Sequence, residues 1–67
     1  MLVRLGRNLM RLCAERGKSL ERVAYESGVS KGYIYDIAKG RGNPSVLILH
    51  RIASALEATV SRFMKSL

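Results

Sequence analysis

Apolar residues in this chain recur every three or four positions in short bursts, and glycines and polar clusters cut the bursts apart. No stretch alternates apolar and polar residues as a half-buried strand would, so the pattern admits helices only. Leu5, Leu9 and Leu12 fall at i, i+4 and i+7 and place an amphipathic first helix over residues 2–16. Arg4, Arg7 and Arg11 lie mostly away from that stripe. Gly17 ends the helix, and Ser19 can cap a second one over 20–27 that turns Leu20, Val23 and Ala24 inward. Gly28 supplies the left-handed residue of a sharp turn and Val29 plugs the corner. Ser30 then caps a third helix over 31–38.

KGRGNPS, residues 39–45, reads as a loop, two glycines being followed by Asn-Pro. Ser45 caps a fourth helix running through Leu56, with Val46, Leu49, Ile52, Ala53 and Leu56 as its inner face. Thr59 caps a short fifth helix carrying Val60, Phe63 and Met64. The expectation is an all-α fold of five short helices in a single domain over residues 1–67, without repeats or linkers.

With 67 residues, such a bundle stands near the lower limit of independent stability. Domains of this size bury only about 60% of their unfolded surface, and chains below about 70–80 residues usually need a staple. The one cysteine, Cys13, cannot form an intrachain disulfide. The one histidine, His50, has no cysteine near it and so no metal-ligand spacing. Neither a metal nor another cofactor is expected, and a partner subunit is the staple left over.

Twelve Lys and Arg against five Asp and Glu give a net charge of +7 and a pI near 10.4. So much positive charge on so small a chain points to an anionic partner, nucleic acid before others. The alternative is a basic surface that only keeps the chain soluble. No apolar run approaches the roughly 18 residues of a membrane span, and Arg4, Arg7 and Arg11 interrupt the N-terminal segment too often for a signal peptide. A free thiol without an export signal places the expected site of action in the cytoplasm.

On a helical wheel of the third helix, Ile34, Ile37 and Ala38 cluster on one side. Gly32, Tyr35, Asp36 and Lys39 share the other, with Tyr33 on a flank and Lys31 in the first turn. A glycine within a helix costs up to about 1 kcal/mol against alanine. Its place on the outward face, beside the helix N-terminus, is where a ligand's close approach to the backbone would be useful.

Ala24, Gly28, Val29, Ile34 and Ile37 stand at the spacing of a helix-turn-helix, and residues 20–39 resemble that motif in the phage-repressor-like (Xre/Cro) family of DNA-binding proteins. LGRNLMRLCAERG resembles the family's first helix, and KGRGNPSVLILHRIASALEATVSRFM its loop and last two helices, so the likeness runs from about Leu5 to Met64. AYESGVSKGYI is further similar to controller proteins of restriction–modification systems. The resemblance implies a five-helix lambda-repressor-like domain that lays its third helix in the DNA major groove. It also implies that Lys31, Gly32, Tyr35 and Asp36 reach base edges. Lys31 can donate to guanine O6 and N7, and Asp36 can accept from cytosine N4. Ser30, Tyr33, Lys39, Arg41 and Asn43 are placed for phosphates. Duller roles stand beside these: a solvated Lys31, Asp36 paired with Lys39 or Lys31, tyrosines covering apolar surface, and a merely tolerated Gly32.

The chain departs from the family pattern in three places. Leu20 stands where members commonly carry a phosphate-orienting glutamine, so no DNA contact is carried over to it. Cys13 and Ala38 replace the arginine and glutamate of a semi-buried ion pair, which reads as a small apolar substitution of both partners. Glu57 replaces the glycine usual after the fourth helix, so that helix end is expected to close in another way.

VLIL, residues 46–49, is more apolar than one inward stripe requires. Either a central helix of a small bundle is apolar all round, or Leu47 and Ile48 join Val60, Met64 and Leu67 in a two-fold dimer interface. A dimer would set two recognition helices roughly 34 Å apart on a near-palindromic operator. The leading reading is a sequence-specific transcriptional regulator acting as a homodimer on double-stranded DNA. Its sign of control stays open, and no sensor domain, small-molecule ligand or membrane contact is expected. An antitoxin-type interaction module is the second reading, although the tail that often wraps a toxin is missing. A basic peptide lying on anionic membranes is disfavoured by the caps and turn glycines, and an enzyme by His50's lack of a partner.

Overall fold

The computed structural model describes residues 2–58 and Arg62. Four helices follow one another: α1 (Leu2–Arg16), α2 (Leu20–Ser27), α3 (Lys31–Ala38) and α4 (Val46–Ala55), with no strand among the described residues. The expected fifth helix, with Thr59, Val60, Phe63, Met64 and Leu67, lies outside the described residues.

The local signals act where they stand in the sequence. The hydroxyls of Ser19, Ser30 and Ser45 each accept a hydrogen bond from the backbone N–H three residues on, those of Arg22, Tyr33 and Ile48. Each bond satisfies one of the donors that a helix start leaves over. Gly28 closes α2 with φ +73°, and its N–H donates to the Ala24 carbonyl. Ser27, buried beside it, donates its hydroxyl to that same carbonyl and accepts from the Val29 N–H. The corner between α2 and α3 is therefore fixed by three consecutive residues.

The core is continuous. Leu9 and Leu12 of α1, Val23 of α2, Ile34 and Ile37 of α3, and Ile52 and Leu56 of the last segment are fully buried. Helix α3 packs between α1 and α2, and α2 also packs on α4. Cys13 is buried in the same cluster, and Ala38 is half-buried against it. Burial pushes the Cys13 thiol pKa up, with Lys18 opposing the shift.

One contact sets the position of α3 against α1. A Cβ built on Gly6 would stand 2.6 Å from the Ala38 carbonyl oxygen and 2.7 Å from that of Ile37. No side chain fits there, so the backbone of α1 lies directly on the C-terminal turn of α3. Two bonds then finish α3: Gly40 N–H donates to the Ile37 carbonyl at 3.0 Å, and Arg41 N–H to that of Asp36 at 2.8 Å. Gly40 takes φ +79°, the left-handed residue such a closure requires.

Helix α4 differs from expectation at both ends. Val46, expected inward, is 74% exposed. Leu49, Ile52, Ala53 and Leu56 already complete the buried stripe, and the first turn is left exposed. At the other end Leu56 is the cap, and Glu57 adopts φ +55°. Ala58 N–H donates to the Ala53 carbonyl at 2.9 Å and Glu57 N–H to that of Ser54 at 3.0 Å. The helix therefore closes in the same way as α3, with a glutamate in the place that favours glycine, and the expected alternative closure is overturned. Arg16 Nε donates to the Leu56 carbonyl at 2.9 Å and Arg16 Nη2 to that of Glu57 at 3.0 Å. Lys18 Nζ donates to the Ala55 carbonyl at 2.6 Å. Two cations thus sit on the negative end of the α4 dipole.

Candidate nucleic-acid interface

Ile34 and Ile37 are buried, which turns the other side of α3 to solvent. Lys31, Gly32, Asp36 and Lys39 are exposed there, and Tyr35 is half-buried. The four residues expected at base edges, Lys31, Gly32, Tyr35 and Asp36, therefore share one accessible face. Arg41 and Asn43 are exposed on the loop that leaves α3. Ser30 is exposed at its start; its oxygen accepts from Tyr33 N–H, which leaves the hydroxyl proton available to an outside acceptor. Tyr33 is half-buried and packs on the core, so much of its ring covers apolar surface.

Gly32 has no steric reason within the fold to be glycine. Its φ lies outside the left-handed region, and a Cβ added to it would meet nothing within 4 Å. This contrasts with Gly6, where the fold forbids a side chain. The space in front of Gly32 is open, at the N-terminal end of the helix, where free N–H groups and the dipole favour an anion.

One ion pair bridges two helices on this face. Lys31 Nζ lies 3.3 Å from Glu21 Oε1, across the mouth between α2 and α3, with both side chains about 60% exposed (60% and 63%). Ion pairs among the described residues join Lys31–Glu21, Lys18–Glu26, Arg22–Glu26 and Arg62–Glu15. None uses Asp36, so neither Lys31 nor Lys39 neutralises it, and its carboxylate faces outward. Glu21 was not legible as part of this face: nine residues, the turn among them, separate it from Lys31.

On α4, Leu47 is 61% exposed and Val46 stands exposed beside it, whereas Ile48 is half-buried against the core. Of the five residues expected at a dimer contact, Leu47 is open and Ile48 already serves the fold in part. Val60, Met64 and Leu67 fall outside the described residues. His50 is exposed on α4. Among the described residues no cluster of three or more His, Cys, Asp or Glu could hold a metal ion, and no helix is long and apolar enough to cross a membrane.

Known proteins share this fold. A restriction–modification controller protein, C.AhdI from Aeromonas hydrophila, superposes with a TM-score of 0.90 at 28% identity, covering 94% of this chain and 96% of that one. The likeness read from AYESGVSKGYI thus extends to the backbone. An uncharacterized HTH-type transcriptional regulator, y4dJ of Sinorhizobium fredii, is 40% identical over 52 residues, or 78% of this chain and 68% of that protein. The HTH-type transcriptional regulator SutR of Escherichia coli is 37% identical over 60 residues, 90% of this chain but 34% of its own length. The chain therefore spans about two thirds of the first relative and one third of the second. Residues 4–63 match the helix-turn-helix domain family, and the chain belongs to it.

Proposed function

We propose that this protein is a sequence-specific transcriptional regulator that binds a near-palindromic operator in double-stranded DNA as a homodimer, in the cytoplasm. The observation that carries the reading is the outward face of α3: a lysine, a glycine without a steric role, a tyrosine and an aspartate that no described residue pairs with, on one accessible strip. Lys31, Gly32, Tyr35 and Asp36 would meet base edges in the major groove. Ser30, Tyr33, Lys39, Arg41 and Asn43 would hold the phosphates on either side. The +7 charge supports the same partner, as do relatives named as transcriptional regulators.

The exposed Val46 and Leu47 support self-association through α4, with Ile48 beneath them and Val60, Met64 and Leu67 as the remaining members of the patch. A dimer would also supply the staple that chains of this length usually need.

Selection of binding sites from a random duplex pool tests the reading. A two-fold symmetric motif with half-sites about one helical turn apart is expected. Featureless enrichment with steep salt dependence would reject it. Sedimentation of the free chain tests the dimer, and Leu47→Glu is expected to shift it to monomer.

A further inference from the structure

Lys31 stands where a cation is electrostatically misplaced. It is the first residue of α3, at the positive end of that helix's dipole, and α3 has no acidic residue in its first turn. The compensating charge comes from outside, from Glu21 in the first turn of α2, 3.3 Å away. As a contribution to the fold, so exposed a pair is worth little. Its location gives it another consequence. The pair lies at the mouth between α2 and α3, on the face read above as the DNA surface.

We infer that Glu21 is a specificity-determining residue that holds the Lys31 ammonium away from phosphate until the correct base edge is offered. The inference rests on the proposed role of α3. On an arbitrary sequence, Lys31 can gain only a single phosphate contact. To make it, the lysine must leave Glu21, and the carboxylate is then left facing the polyanion. Both effects oppose non-specific binding. At the cognate site a guanine presents O6 and N7 together, and that paired acceptor replaces the carboxylate. Glu21 therefore widens the gap between correct and arbitrary DNA, by weakening the arbitrary complex more than the cognate one. Asp36, the carboxylate of α3 itself, does not substitute for it, because among the described residues no ion pair joins it to Lys31.

The test measures dissociation constants of the full chain for its selected operator and for a random duplex of equal length, at two salt concentrations. Glu21→Gln is compared with the parent, and the double variant Glu21→Gln with Lys31→Met is compared with Lys31→Met alone; both positions are exposed, so the variants should fold. Glu21→Gln should tighten random-duplex binding roughly threefold or more, and steepen its salt slope by about one released ion. Operator affinity should change less, so the ratio of the two falls. In combination with Lys31→Met the tightening should largely vanish, because the cation it frees is gone. Equal tightening with and without Lys31→Met would show Glu21 to be a diffuse repulsive charge and overturn the inference, as would an unchanged ratio. A parent protein that selects no operator would reject the regulator reading instead, and the random-duplex comparison would still decide whether Glu21 restrains Lys31.

Discussion

Arg16 Nε, at the end of α1, donates to the Leu56 carbonyl at 2.9 Å, forty residues further along the chain. The bond fastens the terminus of α4 to the corner between α1 and α2. Carbonyls at a helix end have no partner within the helix, and a cation there also meets the favourable end of the dipole. Arg16→Ala should therefore destabilise the fold by about 1–2 kcal/mol in urea titrations. Arg16→Lys should recover only part of that, because a point charge cannot reach two carbonyls as a planar fork does.

Glu57 occupies the left-handed position of the same closure, at φ +55°. A side chain in that conformation costs roughly 1 kcal/mol, and glycine avoids the cost. Glu57→Gly should thus raise stability by about 1 kcal/mol, less the entropy that glycine adds to the unfolded chain. The closure's two backbone bonds would remain. Thermal melts of the two proteins at equal concentration check it, with a lowered Tm as the contrary result.

Two helical glycines should respond oppositely to alanine. At Gly6 the new methyl would be forced against two backbone carbonyl oxygens, 2.6 and 2.7 Å away, which cannot rotate aside. Gly6→Ala must push α1 off α3, at a cost of about 2 kcal/mol or more. At Gly32 the methyl meets nothing within 4 Å, so Gly32→Ala should hold or raise stability by up to about 1 kcal/mol. The same Gly32→Ala change should weaken operator binding. Unchanged binding would remove Gly32 from the DNA surface.

The ammonium of Lys18, bonded to Glu26 at 2.7 Å, holds the Glu26 carboxyl pKa below its ordinary 4.5, and Arg22 adds to the effect. A carboxyl whose pKa is lower in the folded state stabilises the fold fully above its unfolded value. That contribution disappears as pH falls below 4.5 and through the folded value. Glu26→Gln should lower the Tm near neutral pH, and the difference from the parent should close in strongly acidic buffer. A difference that stayed constant with pH would mean that Glu26 acts through packing.

The order of elements was legible because its signals are local. Ser19, Ser30 and Ser45 each bond three residues ahead, and Gly28 needs only its own φ, so cap and turn chemistry reveal them directly. Val46 misled because periodicity tells which side of a helix is apolar, without telling how much of that side other elements cover. Gly6, Arg16 and Glu21 act on Ala38, Leu56 and Lys31 in other elements, and no spacing rule within one segment reports such partners. A signal for Gly6 did exist: a glycine set in the middle of a leucine stripe, where nothing local requires one. At Glu57 the rule was right about the preferred residue. The closure forms nonetheless, since two basic side chains stabilise the carbonyls that the strained glutamate leaves at the helix end.

Substitutions on the α3 face and on its loop should separate reading a sequence from holding the backbone. Lys31 and Asp36 lie on one accessible strip of α3, whereas Arg41 stands on the loop beyond it. A side chain that bonds a base edge distinguishes that base from its rivals, and losing it costs roughly 1–3 kcal/mol at matched positions only. Lys31→Ala and Asp36→Ala should therefore each alter preference at one base pair of the half-site and leave other positions unchanged. A phosphate contact carries no such information but displaces a counterion. Arg41→Ala should weaken every duplex alike and reduce the salt slope by about one. Asp36 gives the sharper comparison, because a carboxylate that no described residue pairs with should repel arbitrary DNA. Its removal should then tighten random duplex even as it erodes preference at its own base pair, a combination that a purely structural aspartate would not produce. Binding curves against a panel of single-base operator variants would resolve the three behaviours. Equal, sequence-blind losses from all three substitutions would take Lys31 and Asp36 off the bases.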